Sequence, residues 1–106
     1  MSQDRHEFEE DLLTEQEKKE ELKEPPLYKV LLHNDDFTTM DFVLYVLQTI
    51  FNRTFEEALH MTYQVHFEGV TIGGVYPFEI AEMKMTKVIE LAQENDFPFM
   101  CTIEEE

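Results

Sequence analysis

Basic residues are scarce in this chain of 106 residues: eight Lys and Arg stand against 24 Asp and Glu, for a net charge of -16. Phosphate contacts depend on Lys and Arg, so the deficit argues against unaided nucleic-acid binding, and the same field repels an anionic membrane surface. Cationic ligands or basic partners are favoured instead. The single cysteine, Cys101, excludes an internal disulfide and leaves no argument for an oxidising compartment. It sits in the apolar run FPFMCTI, the setting of a buried structural thiol rather than of a nucleophile. No apolar run approaches the length of a membrane span, and the opening MSQDRHEFEEDLL is acidic where a signal peptide is basic and then apolar. The expectation is a soluble cytoplasmic protein. Internal repeats, a nucleotide-binding loop and a paired-cysteine metal pattern are also missing.

What is present suits one small domain, since a hydrophobic content of 42% supplies a single core. Residues 1–24 hold ten acids and four bases and few apolar side chains, a composition read as a flexible acidic extension that cannot fold alone. Pro25 and Pro26 close it off and open the core domain, residues 25–106. Leu27, Tyr28, Val30, Leu31 and Leu32 then predict a strand. It runs into HNDDFTTM, His33 to Met40, where Thr38 or Thr39 can cap a helix.

That helix carries Phe42, Val43, Val46, Leu47, Ile50 and Phe51 at three- and four-residue spacing and ends at Asn52 and Arg53. Thr54 and Glu57 form a capping box for a second helix, stopped by Gly69, and the two helices should pack as a hairpin. Val70, Ile72, Val75 and Tyr76 predict a second strand, with a bulge or close backbone approach at Gly73 and Gly74. Pro77 opens a third helix that buries Phe78, Ala81, Met85, Val88, Ile89 and Ala92 and leaves Glu79, Glu82, Lys84 and Lys87 outside. A last strand is expected from Phe97 to Ile103. The order β-α-α-β-α-β places the chain in the α+β class, three helices on a small, mostly antiparallel three-stranded sheet.

His33, Asn34, Asp35, Asp36, His60 and His66 form the polar group richest in chemistry, and three readings compete for it. In the structural reading, Asn34 and Asp35 make a turn and Asp36 complements the dipole of the helix that follows. A metal-dependent hydrolase would combine the aspartates with His60 or His66, but ligand spacings such as His-x-x-x-His are missing. The binding reading fits an ammonium group attached to an apolar side chain. Its three donors suit the Asn34 carbonyl, an aspartate and a neutral His66, while Met40, Val43, Thr62 and Val65 offer an apolar face.

At these residues the sequence resembles the ClpS family, adaptors of the bacterial N-degron pathway. The resemblance runs from about Pro25 to Glu104. It rests on PP-x-YKV, NDD-x-T-x-M-x-FV from Asn34 to Val43, VH-x-x-G from Val65 to Gly69, GVY-x-x-E-x-A-E-x-K from Gly74 to Lys84, and the terminal CT-x-E. It implies an adaptor without enzymatic activity or cofactor that captures substrates by a destabilising N-terminal residue and hands them to the ClpA unfoldase of the ClpAP protease. Asn34, Asp35, Asp36 and His66 would serve the substrate's α-amino group. Leu32, Thr38, Met40, Val43, Thr62, Val65 and Phe99 would line the side-chain pocket, with Met40 as the gate against β-branched residues. Glu79 and Lys84 would face ClpA, and residues 1–24 would act in delivery. The chain departs from the common family pattern at Thr39, usually proline, and Thr62, usually methionine. The smaller, hydroxylated Thr62 implies a wider or more polar pocket. A purely structural interaction domain, without N-terminal residue recognition, is the other alternative.

Overall fold

The computed structural model describes residues 25–106. The flexible extension expected over residues 1–24 lies outside the described residues. The elements follow the expected order: β1 (Leu27–His33), α1 (Met40–Thr49), α2 (Phe55–Glu68), β2 (Val70–Pro77), α3 (Phe78–Glu94) and β3 (Met100–Glu105). The sheet has strand order β2-β1-β3 and both pairings are antiparallel.

Strand β1 is central, paired with β2 on one side and β3 on the other. Val30 and Leu32 are fully buried beneath the helices, while Lys29, Leu31 and His33 turn to the opposite face. Antiparallel pairing sets Leu32 opposite Cys101 and Val30 opposite Ile103, so β3 contributes to the same buried layer. Helix α3 packs across all three strands, and α1 and α2 pack on each other. Phe42 links α1 to the segment that leads into β3: its ring lies 4.8 Å from that of Phe97 and 6.0 Å from that of Phe99.

The glycine pair in β2 combines the two expected features. Val30 pairs with Gly74 and Leu31 with Ile72, so Gly73 is the extra residue of a bulge. Its carbonyl accepts from Arg53 Nη2 at 2.7 Å and Nε at 3.1 Å, which replaces the ladder partner the bulge removes. A Cβ on Gly73 would stand 2.8 Å from the Phe51 ring, and one on Gly74 would collide with the Tyr76 ring.

Two boundaries and one side chain differ from the expectation. Helix α1 ends at Thr49 with Ile50 as its C-cap, so Phe51 is buried from the connection rather than from the helix. Strand β3 starts at Met100, not Phe97: the Phe97 N–H is spent on the Ala92 carbonyl at 2.9 Å, Asp96 is left-handed at φ 59°, and Pro98 has no N–H to donate. Lys84, placed outside by its polarity, is half-buried. Its Nζ donates to the Ile50 carbonyl at 2.6 Å, because a cation satisfies the exposed carbonyls at a helix C-terminus.

Candidate functional site

The loop after β1 is built by Asp35. Its Oδ1 accepts from the backbone N–H groups of Phe37 (2.8 Å) and Thr38 (2.7 Å), and its Oδ2 accepts from the Thr38 hydroxyl at 2.6 Å. Partial burial pushes the Asp35 carboxyl up, but the Thr38 hydroxyl and the two N–H groups outweigh it and hold the group below its ordinary value. Thr38 is therefore occupied with the loop, and Thr39 is the cap: its Oγ1 accepts from the Phe42 N–H at 3.2 Å. Asn34 and Asp36 are exposed.

One hydrogen bond joins this loop to the end of α2. The Asn34 N–H donates to the Gly69 carbonyl at 2.9 Å, while the Gly69 N–H donates to Val65 at 2.9 Å. Gly69 takes φ 92° as the left-handed C-cap of α2, a conformation glycine adopts without strain. His66, exposed in the last turn of that helix, is thus carried to the same end of the molecule as Asn34.

The residues expected to line a pocket differ in exposure. Leu32, Val43, Thr62, Val65 and Phe99 are buried, whereas Thr38 and Met40 are half-buried at the margin. The Thr62 hydroxyl donates to the Ala58 carbonyl at 2.7 Å within its own helix, so its donor is already used. Glu79 is exposed in the first turn of α3, away from this group in sequence and element.

The chemistry available is acceptance of hydrogen bonds beside an apolar surface. Cys101 offers no nucleophile, since burial pushes its thiol up to about 12. Among the described residues, no three His, Cys, Asp or Glu side chains gather to hold a metal ion, and no helix is long and apolar enough to cross a membrane. His33 is engaged elsewhere, with Nε2 2.8 Å from Thr102 Oγ1.

Two aromatic residues were not singled out by the sequence. Phe67 is 76% and Tyr63 48% exposed, and their rings stack with centroids 6.2 Å apart. The His66 ring meets Phe67 edge-on at 4.8 Å. The signal available for them was two aromatics four residues apart on an otherwise polar helix face next to a histidine.

Comparison with known proteins bears on this arrangement. Residues 23–102 match the family described as the ATP-dependent Clp protease adaptor protein ClpS. The chain is 48% identical to the ATP-dependent Clp protease adapter protein ClpS of Desulfatibacillum aliphaticivorans over the full length of both chains (100% of each). It is 44% identical to that of Myxococcus xanthus, over 96% of this chain and 95% of the other. The solved structure of Agrobacterium tumefaciens ClpS2 bound to L-phenylalaninamide superimposes with a TM-score of 0.75 at 36% identity, over 78% of this chain and 100% of that one.

Proposed function

The chain belongs to the ClpS family of Clp protease adaptors, which are not enzymes, and from that premise we propose that it captures proteins by their N-terminal residue and delivers them to a ClpA-type unfoldase. The observation that supports this reading is the Asn34–Gly69 hydrogen bond, which ties the acidic loop to the end of the helix that carries His66. The ligand of the Agrobacterium relative has the matching chemistry: a free α-amine, an aromatic side chain and an amide in place of the carboxylate.

In this reading the substrate ammonium donates to the Asn34 side-chain carbonyl, to His66 and to Asp35. A carboxylate has about four acceptor positions, and the loop occupies part of those on Asp35 through Phe37 and Thr38. Asp35 therefore serves mainly by holding the loop and by its charge, and Asp36 adds a second charge. The substrate side chain enters past Met40 and packs against the group formed by Leu32, Thr38, Val43, Thr62, Val65 and Phe99. Because the Thr62 hydroxyl donates to Ala58, the pocket gains width from this residue more than polarity. The exposed carboxylate of Glu79 contacts the unfoldase, and Lys84 supports the same helix through its bond to Ile50. Residues 1–24 act in delivery rather than in capture.

Fluorescence anisotropy tests the capture step. A peptide with free N-terminal Phe or Leu should bind, while its acetylated form and a Met-initiated control should not. Asn34→Ala or His66→Ala should weaken binding roughly tenfold to a hundredfold, the loss of one charge-assisted hydrogen bond. Equal signals from all three peptides would overturn the reading.

A further inference from the structure

Phe67 stands between two places: the edge of its ring meets His66, and its face stacks on Tyr63 at an interplanar angle of 13°. Beyond it, on the same face of α2, lies a surface cavity of about 220 Å³ lined by His60, Tyr63, Gln64, Phe67 and Glu68. Scattered exposed aromatics are ordinary, but two parallel rings that start at the proposed amine acceptor and wall a cavity are not scattered.

The geometry points to this cavity as a subsite for an arginine side chain just downstream of the substrate's N-terminal residue. The inference rests on the N-terminal recognition proposed above and adds a determinant of specificity, Phe67 with Tyr63 and Glu68. An extended chain advances about 3.3 Å per residue, so side chains at about positions two to four come within reach of a ring adjoining His66. A guanidinium is the group the lining suits: it stacks flat on an aromatic face and pairs with a carboxylate, here Glu68, whereas an ammonium stacks less well. The charge balance agrees, since no Lys or Arg lines the cavity and the chain carries -16 overall. The Gln64 carbonyl is occupied by the Thr71 hydroxyl at 2.6 Å, which leaves Glu68 as the lining's anionic acceptor.

Anisotropy with free N-terminal Phe peptides carrying arginine, or its neutral isostere citrulline, at position two, three or four tests this on the full chain. At one of these positions arginine should bind about three- to tenfold more tightly than citrulline. That preference should vanish in Tyr63→Ala and in Phe67→Ala and persist in Phe67→Tyr. Equal affinities for arginine and citrulline at all positions would overturn the inference. So would a preference that survives both alanine variants, because it would then arise from the field of the whole molecule. The citrulline peptide and its acetylated form separate the two readings: if they bind alike, N-terminal recognition itself fails, and the subsite with it.

Discussion

Asp35 does more for the loop than its charge alone suggests. Three hydrogen bonds converge on its carboxylate, from Phe37, from the Thr38 backbone and from the Thr38 hydroxyl, and together they fix the turn that follows Asn34. Asp35→Ala should therefore destabilise the domain by about 1–2 kcal/mol in urea denaturation, less than three charge-assisted bonds would give in a dry site because water screens this one. The pH dependence has a definite sign. Because the folded carboxyl is held below its ordinary value of 3.8, its contribution is present above that pH and is lost as pH falls through the folded value. In Asp35→Ala the acid limb of the stability profile should be shallower than in the parent, and an unchanged limb would remove Asp35 as its source. Both threonines were plausible caps from sequence; the turn held by Asp35 engages Thr38 through its own N–H and hydroxyl, and Thr39, in extended backbone, is left to accept from the Phe42 N–H.

At the scale of elements, the contact of Lys84 with Ile50 ties α3 to the C-terminus of α1. Lys84→Ala should lower stability by about 1–2 kcal/mol, a charged hydrogen bond discounted for partial exposure, as read by thermal or urea unfolding. A loss of unfoldase binding in that variant should be compared with Glu79→Ala, whose side chain is exposed, before it is credited to direct contact. Helices and strands were legible because their apolar periodicities differ and because Thr54 with Glu57 and Gly69 mark the ends of α2 by local chemistry. The position of Lys84 was not legible, since a solvent-facing lysine and one reaching a carbonyl 34 residues away have the same local pattern. The start of β3 was not legible for a similar reason: Phe97 and Phe99 look like strand residues, yet the Ala92 carbonyl claims the Phe97 N–H. Within the candidate site, the loop and His66 were visible as residue types, but their approach depends on the bond from Asn34 to Gly69, which no local spacing encodes.

For the molecule as a whole, the charge of -16 should steer any cationic N-terminus toward the adaptor. Raising the ionic strength from about 0.05 to about 0.5 M shortens the screening length severalfold, so association with a free N-terminal Phe peptide should slow by about three- to tenfold. Dissociation should change much less, because it depends on contacts at the site. Stopped-flow fluorescence would distinguish the two, and a salt effect confined to dissociation would count against steering. The bond from Asn34 to Gly69 has a further consequence in time rather than in space. Its amide proton exchanges with solvent when the loop parts from the end of α2, so in deuterium its exchange reports how often these two parts separate. A substrate that bridges the two parts, as proposed, would slow that exchange, and the degree of slowing would measure how firmly it holds them together.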